Sequence, residues 1–225
     1  MIMKEEREAV VSYSRRAQEL RLTRGTGGNI SIYNRQTGFI AITPSGVEYN
    51  EMTPQDIVIV DIDGEIVDGH LVPSSELDMH LCCYRSRDDM NAMVHTHSTF
   101  ATVIACMQHD IPPVHYLIGY AGSDTVPCIP YYSFGSHELA EAVAACMSEG
   151  NGANVVLLGN HGLMAGGKDI SMAFSAAEEI EFVSEVYYRT LVANDYKLLS
   201  QEDMQIVQQK FSVYGQKRVL ESQTH

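Results

Sequence analysis

The sequence has no apolar run long enough to cross a membrane. Its longest apolar stretches are as short as Val155–Leu158, whereas a membrane-spanning helix needs about 20 predominantly apolar residues. The segment Met1–Glu8 is rich in charge and does not form the apolar region of a secretory signal. We therefore expect a cytoplasmic protein without a membrane partner.

Positive charge is scarce relative to negative charge. The chain has 15 Lys and Arg residues against 29 Asp and Glu residues, which gives a formal net charge of −14. Because no block of Lys or Arg interrupts this acidity, we expect no binding to nucleic acid or to an anionic membrane surface. Taken alone, the negative electrostatic field of such a surface also disfavours small anionic substrates.

The sequence lacks a CxxC pair, and its five cysteines are an odd number. Such a count argues against a disulfide framework and against a thiolate metal site. We predict free thiols that pack in the core. The residues concerned are Cys82, Cys83, Cys106, Cys128 and Cys146.

A length of 225 residues with 45% hydrophobic residues fits one globular domain that spans residues 1–225. The early strands are spaced as a hairpin and helices separate the later strands, which predicts an α/β fold with a mixed, largely antiparallel sheet. The predicted helices span residues 4–21, 74 onward, 100–107, 138–147, 169–191 and 201–213. The predicted strands span residues 30–33, 39–43, 57–60, 65–67, 93–97, 154–158 and 162–165.

The most specific local motif is a pair of histidines, His95 and His97, in a strand-like segment. Alternate residues of a strand project to the same side, so both rings can bind one metal ion. The best candidate for a third ligand is His161, at the end of an apolar strand, and three neutral imidazoles are typical of catalytic zinc. Separate histidines satisfied by backbone hydrogen bonds explain the same residues. The other six histidines lack this spacing, and we expect them to be structural.

A carboxylate and two hydroxyls stand together in the segment Pro73–Glu76. Serine before an acidic residue is common at helix starts, so an N-cap at Ser74 explains the segment when it is taken alone. Beside a metal ion, however, Glu76 would lie in a partly dry site. Burial there would raise the pKa of its carboxyl group and allow proton transfer near neutral pH.

Three short polar loops can offer backbone N–H groups and hydroxyls to a phosphoryl group. They span residues 25–29, 43–46 and 74–75. The glycine-rich loop matches neither a Walker A motif nor a dinucleotide-binding fingerprint, so nucleotide binding is poorly supported. Ordinary turns explain each loop separately, and only their combination with a histidine triad favours a phosphate site.

Five motifs in this order resemble the zinc-dependent class II aldolases of the L-fuculose-phosphate aldolase type. They occupy residues 27–29, 44–46, 73–76, 94–97 and 160–162. The likeness covers nearly the whole chain and extends to residues 113–116, 132–135 and 210–215. The resemblance implies a three-layer α/β/α fold and a homotetramer with four-fold symmetry.

The resemblance also implies a role for each matching residue. His95, His97 and His161 would bind one zinc ion per subunit, with Glu76 as a further ligand when no substrate is present. Glu76 would move the proton at the carbon next to the substrate carbonyl. At the aldehyde end Tyr116 would act with Tyr214, which lies in a tail of about residues 200–225 contributed to a neighbouring subunit. The substrate phosphate would be held by Gly28, Asn29, Ser45, Gly46, Ser74 and Ser75.

The implied reaction is reversible aldol cleavage of L-fuculose 1-phosphate or a related deoxy-pentulose 1-phosphate. Its products would be dihydroxyacetone phosphate and a small aldehyde such as L-lactaldehyde. Because zinc as a Lewis acid would stabilise the developing charge, no Schiff-base lysine is required.

Three alternatives remain open from the sequence. L-ribulose-5-phosphate 4-epimerases share the zinc triad but typically have Asp where this chain has Glu76. Methylthioribulose-1-phosphate dehydratases belong to the same superfamily. A non-catalytic protein that binds a metal or a sugar phosphate would keep the loops without needing Glu76 or Tyr214.

Overall fold

The structure is a computed structural model that describes residues 1–148 and 152–212. Eight strands form one sheet: β1 (Asn29–Asn34), β2 (Phe39–Ile42), β3 (Val58–Asp61), β4 (Ile66–Asp68), β5 (Ala92–Thr96), β6 (Cys128–Ile129), β7 (Val155–Leu158) and β8 (Gly162–Gly167). Their order is β4-β3-β2-β1-β5-β8-β7-β6. Among the strand pairs of the described residues, only β6–β7 is parallel. This confirms the predicted α/β fold with a mixed, largely antiparallel sheet.

Within the described ranges, six α-helices accompany the sheet: α1 (Lys4–Glu19), α2 (Leu77–Ser86), α3 (Thr99–Met107), α4 (His137–Cys146), α5 (Ile170–Ala193) and α6 (Gln201–Ser212). A 3-10 helix spans Tyr116–Ala121. Among the described helices, none combines the length and the apolar character that membrane crossing requires.

The sheet is buried on both faces because its apolar side chains alternate between two cores. In β5, Val94 packs with α1, α3 and α5, whereas Met93 packs with α2 and α4. In β7, Leu157 and Leu158 likewise belong to opposite cores. This period of two is what a strand imposes on successive side chains. The helices therefore form an outer layer on each face of the sheet, in three α/β/α layers.

The central strands bring distant parts of the chain to one place. Asn29 at the start of β1 lies directly opposite His95 on β5. On the other side of β5, His95 pairs with Met164 of β8. The N-terminal hairpin and the later strands thus meet at the strand that carries the histidine motif.

The segment Pro73–Glu76 differs from its predicted form. Helix α2 begins at Leu77 with Glu76 at the cap position, so the predicted N-cap at Ser74 is wrong. The backbone N–H of Ser74 instead donates to the carbonyl of Thr43 at 3.1 Å, and Pro44 and Pro73 form an isolated bridge. These contacts fix the segment against the loop after β2 and place Glu76 at the start of α2.

All five cysteines are free thiols, as predicted. Cys83 is buried, and Cys82, Cys128 and Cys146 are partly buried. Core packing is wrong for Cys106, which is exposed on α3. Its neighbours Ile104 and Ala105 bury their side chains on the α3 face that meets the core, and Cys106 falls on the outer face.

Candidate active site

Four side chains from three parts of the fold converge on one point. His95 lies on β5, His97 follows that strand, His161 lies in the turn between β7 and β8, and Glu76 precedes α2. His95 Nε2 lies 3.0 Å from His97 Nε2. The Glu76 oxygens lie 3.3 Å from His95 Nε2 and 3.4 Å from His161 Nε2. The structure thus brings together all four residues that the resemblance names as metal ligands.

The turn that carries His161 is fixed from two sides. The N–H of His161 donates to the carbonyl of Leu158 at 2.9 Å, and that of Asn160 donates to Ala105 of α3 at 3.0 Å. Asn160 takes a left-handed backbone conformation with a φ of 55°, which asparagine tolerates better than most residues. The turn therefore holds the His161 ring at a fixed position beside the end of β5.

The orientation of the His95 ring follows from its hydrogen-bond partner. Its Nδ1 lies 2.8 Å from the carbonyl oxygen of Leu163. Because a carbonyl only accepts, Nδ1 carries the hydrogen, and in the neutral ring the Nε2 lone pair faces the cluster. Burial, followed by the proximity of His95, lowers the pKa of His97 and of His161 to about 4. Both rings are therefore neutral near pH 7 and keep a lone pair for a ligand.

Glu76 is an ionised carboxylate in this cluster. Burial alone would raise its pKa, but the imidazoles of His95 and His161 and the side-chain amide of Asn29 together hold that pKa well below its usual range. The prediction that the pKa of Glu76 is raised is therefore wrong for this structure. The physical reason is that its polar neighbours stabilise the charged form more than burial penalises it.

The donor atoms fit a divalent metal ion. Zinc–nitrogen bonds of roughly 2.0–2.1 Å place tetrahedral ligand atoms roughly 3.3–3.4 Å apart. Three contacts in the cluster fall at 3.0 to 3.4 Å: His95 to His97, Glu76 to His95, and Glu76 to His161. In addition, Glu76 Oε1 is buried without a hydrogen-bond partner in the described part of the chain. A bound cation would satisfy this oxygen and the facing imidazole lone pairs together.

A small pocket opens beside the cluster. It has a volume of about 160 Å³ and is lined by Glu76, His97, His161, the segments 26–29 and 44–46, Ser74, Ser75 and Phe134. All six residues that the resemblance assigns to the phosphate lie in this lining: Gly28, Asn29, Ser45, Gly46, Ser74 and Ser75. The predicted phosphate loops thus share one cavity with three of the four predicted metal ligands, Glu76, His97 and His161.

The charge of this pocket differs from that of the whole chain. The described residues that line it include neither Lys nor Arg, so an anion would meet neutral hydroxyls, backbone N–H groups and any bound cation. The net charge of −14 therefore does not exclude a small phosphorylated ligand here.

Glycine is required at Gly28 for two reasons, and this gives a first testable prediction. Its φ is +77°, and an added Cβ would lie 2.6 Å from the His95 carbonyl oxygen and 2.9 Å from the Thr23 methyl carbon. Gly46 has a similar φ of +70° but open space around it. Both Ala variants bear the left-handed cost of about 1–2 kcal/mol. Because of crowding, Gly28→Ala should lower the free energy of unfolding by about 1–3 kcal/mol more than Gly46→Ala does.

Urea unfolding of the two variants measures this difference in the free energy of unfolding. A larger loss for Gly28→Ala than for Gly46→Ala supports close packing of the glycine loop against β5. Equal losses would contradict it.

Of the two predicted tyrosines, Tyr116 does not line the pocket beside the cluster. Tyr116 begins the 3-10 helix, is 53% exposed, and lines a separate pocket with Val207 and Phe211 of α6. Tyr214 lies outside the described residues.

Sequence reasoning missed two kinds of site residue. Phe134, 70% exposed, lines the pocket but belongs to no metal or phosphate pattern. His80 was expected to be merely structural, yet its Nε2 lies 2.5 Å from Asn29 Oδ1, and the amide of Asn29 donates to Glu76 at 2.8 Å. The signal for His80 was its position four residues after Glu76, which places both on one face of α2.

Comparisons with known proteins agree with this geometry. The family model described as "Class II Aldolase and Adducin N-terminal domain" matches residues 8–188. The chain is 49% identical over 216 residues to "5-deoxy-D-ribulose 1-phosphate aldolase" of Bacillus thuringiensis serovar kurstaki, covering 96% of this chain and 100% of that relative. It is 39% identical to "5-methylthioribulose-1-phosphate/5-deoxyribulose-1-phosphate aldolase" of Escherichia coli O45:K1, covering 93% and 96% of the two chains.

A solved structure is similar over almost the same span. It is described as "L-fuculose 1-phosphate aldolase" and is 38% identical, with a TM-score of 0.90. The match covers 94% of this chain and 98% of that chain. The likeness thus includes the central sheet together with the elements that carry the cluster.

Proposed function

The chain belongs to the class II aldolase and adducin N-terminal domain family, and from this premise we propose that it cleaves a ketose 1-phosphate reversibly with zinc. The products are dihydroxyacetone phosphate and a small aldehyde. The observation that carries this proposal is the cluster of Glu76, His95, His97 and His161 at the wall of a pocket lined by six phosphate-binding candidates. Metal ligands and neutral anion donors share one small cavity, as a phosphorylated, metal-bound sugar requires.

The substrate we propose first is 5-deoxy-D-ribulose 1-phosphate, with L-fuculose 1-phosphate as a related sugar. Support comes from the name of the relative at 49% identity, "5-deoxy-D-ribulose 1-phosphate aldolase", and from the fuculose-phosphate aldolase name of the similar structure. Cleavage between carbons 3 and 4 of the deoxy-pentulose would release acetaldehyde, whereas the fuculose ester would release L-lactaldehyde. The two substrates differ only in the aldehyde part, so the phosphate pocket serves both.

The residues of the pocket supply binding and proton transfer. Hydroxyls of Ser45, Ser74 and Ser75 and the backbone around Gly28 and Gly46 would hold the phosphate. A metal ion held by His95, His97 and His161 would supply Lewis-acid stabilisation of the negative charge that develops on the substrate oxygens.

Glu76 would handle the proton on carbon. In the direction of condensation, its carboxylate takes a proton from the carbon next to the carbonyl of dihydroxyacetone phosphate, and the electron pair left there forms the bond to the aldehyde carbon. In cleavage, that bond breaks, the electron pair returns to the same carbon, and Glu76 gives the proton back. An ionised resting carboxylate, as found here, suits the base in this pair of steps.

The proton on the aldehyde oxygen would be exchanged by Tyr116 and by Tyr214 from a neighbouring subunit. A homotetramer in the cytoplasm would bring such a tail to the site. The exposure of Tyr116 on its own chain supports this arrangement, because another subunit can cover it. The aldolase names of the similar proteins favour cleavage over the epimerase alternative.

A panel of sugar phosphates tests the proposal. Zinc-loaded protein should release dihydroxyacetone phosphate, measured by its enzymatic reduction with NADH, from 5-deoxy-D-ribulose 1-phosphate, L-fuculose 1-phosphate or 5-methylthioribulose 1-phosphate. We expect the deoxy-pentulose ester to have the highest kcat/KM, by roughly 10–200-fold for a difference of one small group.

A parallel assay follows epimerisation of L-ribulose 5-phosphate by the same preparation. Release of dihydroxyacetone phosphate from any member of the panel supports aldol cleavage. Release from none of them, or epimerisation as the faster reaction, would overturn it.

A further inference from the structure

A ladder of buried polar side chains joins one face of α2 to one face of β1. Glu76, His80 and Tyr84 recur every four residues from the cap of α2, so they lie on one side of that helix. Asn29 and Ser31 recur every second residue of β1 and lie on one side of that strand. All five side chains are buried.

The ladder is continuous in hydrogen bonds. Asn29 Nδ2 lies 2.8 Å from Glu76 Oε2, and Asn29 Oδ1 lies 2.5 Å from His80 Nε2. His80 Nδ1 lies 2.7 Å from Ser31 Oγ, which lies 2.6 Å from the hydroxyl of Tyr84. We call these four contacts the Glu76–Tyr84 relay.

The Glu76 carboxylate fixes the direction of every bond in the relay. A carboxylate only accepts, so the NH₂ group of Asn29 faces it and Asn29 Oδ1 faces His80. Nε2 of His80 must therefore carry a hydrogen. Burial, followed by the nearby His95, lowers the pKa of His80 to about 3, so the ring is neutral. Its Nδ1 then accepts from Ser31, whose oxygen accepts from Tyr84.

The relay also distinguishes the two oxygens of Glu76. Oε2 accepts from Asn29, whereas Oε1 has no hydrogen-bond partner in the described structure and lies 3.4 Å from His161 Nε2. If the Asn29 amide turned over, its oxygen would face a carboxylate oxygen and its NH₂ group would face the hydrogen on His80. One contact between two acceptors and one contact between two donors would then replace two hydrogen bonds in a buried site, which is costly.

We propose that His80 is a positioning residue for Glu76: with Ser31 and Tyr84 behind it, His80 locks the Asn29 amide, which holds Oε2 and leaves Oε1 as the oxygen that exchanges the proton. This inference rests on the proposed aldol cleavage. It makes the reaction depend on His80, a residue that belongs neither to the metal ligands nor to the phosphate loops.

Two His80 variants test the proposal by kinetics. His80→Phe keeps a ring but removes the donor to Asn29, and we expect kcat to fall by about 10–100-fold, as for other residues that orient a metal-site ligand. KM and bound zinc should change much less than kcat, since the hydroxyls of Ser45, Ser74 and Ser75 and the three histidines are unchanged. His80→Gln can place an amide N–H near Nε2 and should restore much of the lost kcat.

A matched tyrosine pair provides the control. The rings of Tyr33 and Tyr84 are in contact, with centroids 5.2 Å apart, but only the Tyr84 hydroxyl belongs to the relay. Tyr84→Phe should lower kcat, whereas Tyr33→Phe should not. Unchanged kcat in His80→Phe would overturn the proposal. A loss of kcat in His80→Phe that added zinc fully restores would overturn it as well.

Nitrogen NMR of the full-length wild-type chain labelled in histidine tests the relay without any activity. The His80 ring should appear as the neutral tautomer with hydrogen on Nε2, and Ser31→Ala should weaken that preference. A ring with hydrogen on Nδ1, or a protonated ring at pH 7, would contradict the relay. If the tautomer is as expected but wild-type protein cleaves no sugar phosphate, the proposed function fails and the relay stands only as a structural device.

Discussion

Glu76→Gln should reduce turnover by about 10²–10⁴-fold, the usual contribution of a positioned acid or base, while zinc content stays near the wild-type value. The amide has the shape of the carboxyl group and can still accept from Asn29, but it cannot take a proton from carbon. His95, His97 and His161 remain to hold the metal. Turnover would be measured as release of dihydroxyacetone phosphate, and zinc by elemental analysis of the same sample.

Glu141→Gln is a suitable control for this substitution. Glu141 lies on α4 with a side chain that is 68% exposed, and it is not among the residues that line the pocket. We expect wild-type turnover from this variant. Wild-type turnover from Glu76→Gln would remove Glu76 from the proton transfer.

His95→Ala should abolish metal binding and turnover together. His95 is fully buried and contacts Glu76 and His97 at the centre of the cluster. Since residues that merely orient metal ligands change affinity by about 10–100-fold, loss of this ligand should weaken zinc binding by more than about 100-fold. Zinc affinity would be measured by competition with a chelating dye, and folding by circular dichroism.

His161→Ala serves as a second variant in case the buried His95 position does not tolerate alanine. Its ring is closer to the surface and also faces Glu76. His137→Ala is the control, because His137 is an exposed residue paired with Asp78 outside the cluster. Full zinc affinity in a folded His95→Ala or His161→Ala variant would contradict the assigned metal centre.

The candidate metal ligands and the polar loops beside them could be anticipated because their signals are local. The spacing of His95 and His97 alone predicts two rings on one side of an extended segment, and the structure places His95 on β5 and His97 directly after it, with Nε2 atoms 3.0 Å apart. The loops at Gly28 and Ser45 are short and rich in glycine or hydroxyl groups. The positions of the six described α-helices and of strands β1–β5, β7 and β8 also followed from apolar periodicity, with differences of a few residues at their ends. Strand β6 and the 3-10 helix were not predicted, because both are too short to show a period.

The relay could not be anticipated because its contacts depend on how α2 packs against β1. The four-residue spacing of Glu76, His80 and Tyr84 is visible in the sequence, but it is equally typical of any buried helix face. Only the packing of that face against Asn29 and Ser31 gives the spacing a role. The predicted rise in the pKa of Glu76 was wrong for a related reason. The direction of the pKa shift depends on neighbours that are distant in sequence.

The position of Tyr116 could not be predicted from a local pattern. It lies on a 3-10 helix packed against α5 and α6 and lines a separate pocket. No local pattern tells whether such a tyrosine serves its own pocket or that of a neighbour. Tyr214, its proposed counterpart, lies outside the described residues.

Release of dihydroxyacetone phosphate as a function of zinc per chain tests the central claim most directly. Metal-free protein would be titrated with zinc and assayed on 5-deoxy-D-ribulose 1-phosphate. We predict a rate that rises with zinc and reaches its plateau at one zinc per chain, with no such rise for Glu76→Gln at the same loading. A full rate without metal, or no product at any zinc content, would contradict the account.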